Sequence, residues 1–269
     1  MQQDAQTKEI RRIATPVGNG SHIIVPKEWE GYEIVLTRVA VSDPKKEILK
    51  ILQPYLENII GVYIYGSYAR RENEKESDID VIVITDKKIS SIEIKKPFDM
   101  IFIEKSKIDS FKKINPVLFY SFLFEAEPVL NRNFLEQLRD TEIKKFKQYI
   151  KPYLEDSTRV LKINKKLLEL NKSEKVVFID TNMIYSLILR LRGVFIIDSL
   201  LKNEKFSNDS FFKVLRNKLV HDPRCYYNLY RAIRDSKKPK GKVEVIEAEK
   251  LINLLEEQLK EVGRVVYAK

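Results

Sequence analysis

Three short runs of β-branched and aromatic residues are bounded by polar residues, and each predicts a buried strand. The runs cover residues 61–65, 81–84 and 98–103. A polar connection, residues 66–80, joins the first two, and Asp99 is the one carboxylate inside the third. Any chemistry carried by these strands is therefore expected in the connection and at Asp99.

Apolar residues elsewhere recur at intervals of three and four, which predicts amphipathic helices. Helices are expected over residues 44–58 and 116–124, with a short strand at 128–130. Beyond residue 141 the helical period continues to the end of the chain, with helices predicted over residues 143–168, 175–202, 207–221 and 244–261. We expect Pro223 to stop the third of these helices. This last part is predicted to be a bundle of four or five helices.

The start of the chain shows a strand and turn pattern. Gly18-Asn19-Gly20 predicts a turn between two short strands, and residues 26–31 predict a second, helical turn. Strands this short cannot bury a sufficient core alone, so the segment is expected to pair with another surface. The predicted fold class is α+β in three parts: a β module in residues 1–40, an α/β domain with a mixed sheet in residues 41–140, and an all-α helical bundle in residues 141–269.

Composition narrows the class of protein. The 269 residues are enough for two domains or more, and 43% hydrophobic with 33% charged residues is typical of a soluble globular chain. The sequence contains no run of about 18 apolar residues, so no membrane span is predicted. The first ten residues are too polar for a signal peptide. Cys225 is the only cysteine, which excludes an intramolecular disulfide. We therefore expect a cytoplasmic protein with no membrane partner.

The net charge of +10 is distributed unevenly. Residues 141–269 carry 28 basic and 17 acidic side chains, whereas residues 41–140 carry 16 and 17, and residues 1–40 carry five of each. A polyanion such as RNA would therefore meet the helical part. The alternative is that lysine-rich helices are simply soluble, and the charge count leaves both interpretations open.

Asp78 and Asp80 lie two residues apart at the mouth of the second predicted strand. Strand alternation points both carboxylates to one side, while Ile79 and Val81 face the core. Such hard oxygen ligands hold Mg²⁺ together with phosphate oxygens, and two such ions clamp a phosphoryl transfer. Asp99 would add a third carboxylate, which is costly in an apolar run unless it is paired or metal-bound.

Gly66-Ser67 supplies a place for the phosphate. A turn of small residues between a strand and a helix presents backbone N–H groups to an anion, and Ser67 adds a hydroxyl. An ordinary solvated loop would also contain glycine, serine and aspartate, so each feature alone is weak. Together they predict magnesium-dependent phosphate chemistry.

The spacing of Gly66-Ser67, ten residues, then D-x-D at Asp78 and Asp80 resembles the nucleotidyltransferase superfamily that includes DNA polymerase β. The minimal nucleotidyltransferases, with G-S-x-A-R-G followed by S-D-x-D, are the most similar branch. Arg71 stands where that pattern has its second glycine, which could crowd the nucleotide.

The resemblance implies transfer of a nucleoside monophosphate, AMP from ATP or a related triphosphate, to a hydroxyl of a protein or RNA acceptor. It implies two Mg²⁺ ions on Asp78, Asp80 and Asp99, with Asp99 as third ligand or as base. It also implies that Gly66, Ser67 and Arg70 bind the nucleotide.

The run from Gly18 to Trp29 resembles the AbrB-type swapped-hairpin modules, which dimerise and in many members bind DNA. The resemblance implies a homodimer or a higher oligomer. Because this segment has no net positive charge, dimerisation is favoured over DNA binding.

Arg216 and His221 form an R-x-x-x-x-H run that, in a basic helical part beside such a transferase, resembles the HEPN family. The resemblance implies a ribonuclease, in which neutral His takes a proton from a ribose hydroxyl and Arg stabilises phosphate charge. Five residues of helix turn through about 140°, so the two side chains converge only if the helix unwinds or a second subunit contributes. The alternative is a histidine capping its own helix.

HEPN toxins modified by a neighbouring transferase continue as H-x-Y, where the tyrosine receives AMP. Pro223 holds that position here, with Tyr226 and Tyr227 as the nearest substitutes. Three functions therefore stay open: a nucleotidyltransferase of a toxin–antitoxin type system, a DNA-binding regulator with a nucleotide-sensing site, and a HEPN-type ribonuclease.

Overall fold

The computed structural model describes residues 10, 12, 14–37, 43–73, 77–89, 92–219, 221–239 and 241–268. The chain divides into two compact units, residues 1–42 and residues 43–269. Among the helices of the described residues, there is none that is long and apolar enough to cross a membrane.

The first unit contains a two-stranded antiparallel hairpin, β1 (Thr15–Val17) and β2 (Gly20–His22). Gly18 adopts φ +54° in the turn, a conformation that glycine reaches at little cost. A 3₁₀ turn, Lys27–Trp29, follows where a helical turn was predicted. Several apolar side chains of this unit are exposed within the single chain: Val17, Ile24, Tyr32, Val35 and Leu36.

The second unit begins with α1 (Pro44–Leu52), whose N-terminus is capped by the Asp43 carboxylate accepting from the Lys45 N–H at 3.1 Å. A four-stranded mixed sheet follows, made of β3 (Ile59–Tyr65), β4 (Ile79–Thr85), β5 (Phe98–Glu104) and β6 (Glu127–Leu130). The strand order is β5-β4-β3-β6, with β4 and β5 parallel and the other neighbours antiparallel. The predicted mixed α/β sheet is confirmed.

Side-chain alternation along β4 decides which layer each residue joins. Val81 and Val83 pack with Ile48 and Leu52 of α1 on one face of the sheet. Ile82 and Ile84 belong to the cluster on the other face, which includes aromatic residues of α4 (Pro116–Glu125). Both faces of β4 are therefore buried, as its unbroken apolar run requires.

The rest of the unit is mainly helical. A short α2 (Gly66–Ala69) follows β3, and the later helices are α3 (Ile108–Ile114), α5 (Arg132–Glu142), α6 (Phe146–Ser173), α7 (Thr181–Leu201), α8 (Asn208–Arg216), α9 (Pro223–Arg234) and α10 (Val245–Tyr267). Two residues, Phe178–Ile179 (β7), pair antiparallel with Val243–Glu244 (β8). One hydrophobic cluster extends from Tyr63 of the sheet to Leu255 of α10. The change from sheet to helices near residue 140 thus occurs within a single packed unit.

Helix boundaries differ from the sequence expectations at capping residues. Pro223 was expected to stop a helix but begins α9, because proline suits the first helical position and the Asp222 carboxylate accepts from the Arg224 N–H at 3.1 Å. The helix expected from residue 175 begins at Thr181, since Asp180 caps it through the Asn182 N–H at 2.6 Å.

A buried ion pair joins α3 to α5. Lys112 is fully buried, and its ammonium group donates to the Glu142 carboxylate and, at 2.7 Å, to Asp109. The same nitrogen lies 4.3 Å from the centre of the Tyr149 ring. The pair links the first helices after the sheet to the start of α6.

We expect Lys112→Ala to lower the free energy of unfolding by about 3 kcal/mol, because the buried Glu142 carboxylate then keeps, among the described residues, Lys145 alone as an ionic partner. Lys113→Ala, an exposed position on the same helix, is the matched control and should change it by less than about 0.5 kcal/mol. Urea unfolding of both variants measures the difference. Equal losses of unfolding free energy in the two variants would show that the buried ion pair does not stabilise the fold.

Candidate active site

The turn between β3 and α2 comes very close to the Asp80 carboxylate. Tyr65, the last residue of β3, pairs with Asp80 of β4, and Gly66 then turns the chain with φ +73°. A Cβ atom on Gly66 would lie 2.3 Å from Asp80 Oδ2. Only glycine therefore permits this approach, and the predicted phosphate-binding turn and one predicted metal ligand are neighbours.

Asp80 and Asp99 are direct neighbours on the parallel strands β4 and β5. Burial raises the pKa of Asp80 to about 6, with further increases from the charges of Asp99 and Glu125 against smaller decreases from Arg234 and Arg70. Burial also raises the pKa of Tyr65, and the charges of Asp80, Asp99 and Glu125 add to that increase. The mutual repulsion of these carboxylates is relieved by a cation, so the site favours one.

Asp78 precedes β4 and is exposed, while Ile79 and Val81 are fully buried. Within the described part of the chain, no three acidic, histidine or cysteine side chains form a ready-made metal cage. Mg²⁺ does not require one, because it commonly binds one or two carboxylates together with the phosphates of a substrate. The oxygen donors of Asp80 and Asp99 fit that mode of binding, and metal binding by Asp78, Asp80 and Asp99 stays a prediction.

Arg70 is not exposed to solvent as a phosphate ligand would be. Its side chain is 6% exposed, Nη1 donates to Glu125 Oε2 at 2.6 Å, and Nε donates to Glu72 Oε2 at 3.0 Å. Ser67 is half-buried at the start of α2, where its carbonyl accepts from the Glu72 N–H at 2.9 Å. Nucleotide binding by Ser67 and Arg70 remains a prediction.

Arg71 adopts φ +60°, the left-handed conformation that the second glycine of the resembled pattern would reach more easily. Its side chain is exposed. The backbone at Arg71 therefore adopts the same left-handed turn that a glycine at this position would adopt.

Several residues near the site were missed by sequence reasoning because they come from distant parts of the chain. Glu125 ends α4, Phe206 precedes α8, and Arg234 ends α9. Glu125 alone had a usable signal, since it is a carboxylate at the end of an otherwise apolar helix, as Asp99 is in an apolar strand.

Arg216 and His221 are both exposed. Arg216 ends α8, and His221 lies beyond the turn that follows it. Tyr226 is buried, with its hydroxyl donating to Glu247 Oε2 at 2.6 Å, so this hydroxyl is not presented as an acceptor. Tyr227 is half-buried between the rings of Phe212 and Tyr230.

Comparison with known proteins locates this site in a recognised domain. One similar solved structure is a spectinomycin adenyltransferase from Enterococcus faecialis with ATP and spectinomycin, which is 14% identical to this chain and has a TM-score of 0.40. The match covers 80% of this chain and 97% of that one. A nucleotidyltransferase-like protein from Exiguobacterium sibiricum is 13% identical, with a TM-score of 0.37 and coverage of 83% and 77%. No curated protein matches the sequence. Residues 46–136 match the family described as polymerase beta, nucleotidyltransferase, and they form a nucleotidyltransferase domain of that kind.

Proposed function

We propose that the protein transfers a nucleoside monophosphate, AMP from ATP in the first instance, to a hydroxyl acceptor in a Mg²⁺-dependent reaction. The observation that carries the proposal is the contact between the Gly66 turn and Asp80, with Asp99 beside it. This contact brings together a turn of a kind that suits an anion and carboxylates of a kind that suit a cation, which is what a metal-bound triphosphate needs. The family match of residues 46–136 supports it.

In the proposed reaction the acceptor oxygen bonds to the α-phosphorus, and the bond from that phosphorus to the β-phosphate oxygen breaks, which releases diphosphate. Ser67 holds the phosphates through its N–H and hydroxyl. Asp99, exposed on β5, takes the acceptor proton and passes it to water, or serves as a further metal ligand. Asp78 and Asp80 would hold Mg²⁺, which when bound supplies charge neutralisation on the phosphates.

The acceptor class and the system in which the protein acts are also proposals. An RNA or protein hydroxyl and a toxin–antitoxin setting follow from the family resemblance. The regulator with a nucleotide-sensing site and the ribonuclease of Arg216 and His221 are the competing proposals. Both side chains of the latter are exposed, and α8 ends at Arg216, so no helical geometry separates it from His221.

Asp78→Asn and Asp80→Asn should each lower nucleotidyl transfer by about 10²-fold or more, because each removes a charge that stabilises the metal-bound phosphates. The assay incubates the protein with each of the four triphosphates and Mg²⁺ and detects added monophosphate by mass spectrometry, on the protein itself and on added RNA. Calorimetric titration with ATP, with and without Mg²⁺, measures binding in parallel.

Asp86→Asn is the matched control for this experiment, since Asp86 is exposed just past the end of β4. It should behave as the wild type does. ATP binding that persists unchanged in Asp80→Asn and ignores Mg²⁺ would rule out the metal-dependent proposal.

Asp80→Asn should also stabilise the metal-free protein at neutral pH. With the pKa of Asp80 raised to about 6, the folded state binds this proton more tightly than the unfolded chain, so the ionised carboxylate lowers stability above pH 6. We expect a gain of about 1–2 kcal/mol at pH 7.5 that shrinks as the pH falls from 6 towards 4. Urea unfolding with EDTA at several pH values measures it, and a gain independent of pH would contradict the electrostatic cause.

We also propose that the N-terminal unit mediates self-association, as its exposed apolar side chains suggest. Ile24→Asp should then lower the mass of the full-length protein in light scattering, because Ile24 is 74% exposed in the single chain. Ile114→Asp is the control, since Ile114 is 76% exposed on α3 in the other unit. A loss of mass with Ile114→Asp alone would place the interface on residues 43–269, and a DNA complex with steep salt dependence would favour the regulator.

A further inference from the structure

Glu125 occupies an unusual position for a carboxylate. It ends α4, whose other residues are largely apolar and buried, and its side chain is 6% exposed. A carboxylate is costly to bury unless its oxygens find donors. Both oxygens of Glu125 do so, and the donors belong to the turn beside Asp80.

The carboxylate of Glu125 contacts both ends of α2. Oε1 accepts from the Gly66 N–H at 3.0 Å and from Ser121 Oγ at 3.2 Å. Oε2 accepts from Arg70 Nη1 at 2.6 Å. Because Gly66 begins this four-residue helix and Arg70 caps its end, one side chain fixes the whole turn.

The turn has almost no room to move towards Asp80. A single added carbon on Gly66 would collide with Asp80, so a shift of the turn by a fraction of an ångström changes how phosphate donors face the carboxylate. Since Glu125 already accepts the Gly66 N–H, the donors left for a phosphate begin at Ser67. The contact therefore selects which groups of the turn bind the nucleotide.

The same contacts continue into the helical part. Arg70 Nε donates to Glu72 Oε2, which also accepts from the Asn208 N–H at 3.5 Å and from Asn208 Nδ2 at 3.4 Å. The guanidinium groups of Arg70 and Arg192 both lie on the ring of Phe206, at 5.1 and 5.0 Å from its centre. The turn is thus connected through Arg70 to α7 and to the start of α8.

We propose that Glu125 is a positioning residue for nucleotidyl transfer: it acts through Gly66 and Arg70 and holds the phosphate-binding turn against Asp80. This inference rests on the proposed function. A charge so close to Asp80 opposes ionisation of that carboxylate, so its benefit lies in placement of the turn, while Arg70 balances its charge. Misplacing reacting groups by about 1 Å can reduce a rate by roughly 10²-fold.

The test compares Glu125→Gln with Glu127→Gln in the full-length protein. Glu127 lies two residues away, is 43% exposed and pairs with Lys45 on the surface, so its variant controls for loss of a carboxylate. Glu125→Gln is expected to lower kcat for transfer by about 10- to 100-fold with less than about a threefold change in KM for ATP. Amide hydrogen exchange of residues 66–70, measured well below the unfolding transition, should speed up in Glu125→Gln alone.

Glu125→Asp is the second variant, in case Glu125→Gln does not fold. It keeps the charge beside Arg70 but is too short to reach both Gly66 and Arg70, so the same fall in kcat is expected. Full activity of either folded Glu125 variant, with wild-type exchange in the turn, would overturn the inference and leave the proposed function standing. If the wild type and Glu127→Gln both fail to transfer a nucleotide, the proposed function is overturned instead. The role of Glu125 in that function is then overturned with it.

Discussion

The candidate site depends on one close approach, that of the Gly66 backbone to the Asp80 carboxylate. Antiparallel pairing of β3 with β4 brings Tyr65 opposite Asp80, and the positive φ of Gly66 turns the chain over the carboxylate instead of away from it. No side chain fits between the two. The parallel pairing of β5 then adds Asp99 at the same register position. Backbone donors and carboxylates therefore meet without any long side chain having to reach.

This arrangement stores unfavourable electrostatics. Asp80 is partly desolvated and surrounded by other carboxylates, which is why its pKa is raised. Similar repulsion at functional sites is relieved by the charged ligand for which the site is built. The positive charges of Arg70 and Arg234 reduce the repulsion but leave the pKa of Asp80 well above its usual range. The ionised Asp80 carboxylate is thus held at a cost to the stability of the fold.

The helices after the sheet are part of this design. Because a single hydrophobic cluster joins the sheet to α10, the helical part holds its position against the turn. The Phe206 ring contacts both Arg70 and Arg192, and Asn208 donates to Glu72, the second partner of Arg70. Glu125 reaches the turn from α4. A nucleotidyltransferase domain that ended near residue 140 would lack the supports on α7 and α8.

The sequence by itself determined the local features of this protein. Alternation and apolar runs located β3, β4 and β5, and the spacing of Gly66, Ser67, Asp78 and Asp80 predicted a nucleotidyltransferase domain, because both depend on neighbours within some 15 residues. Only the tertiary structure decided the rest. It engaged Arg70 with Glu125, began a helix at Pro223, buried Tyr226 against Glu247 and ended α8 at Arg216, which leaves His221 outside the helix. These outcomes follow from contacts between residues far apart in the chain, and no periodic pattern in a single sequence records such contacts.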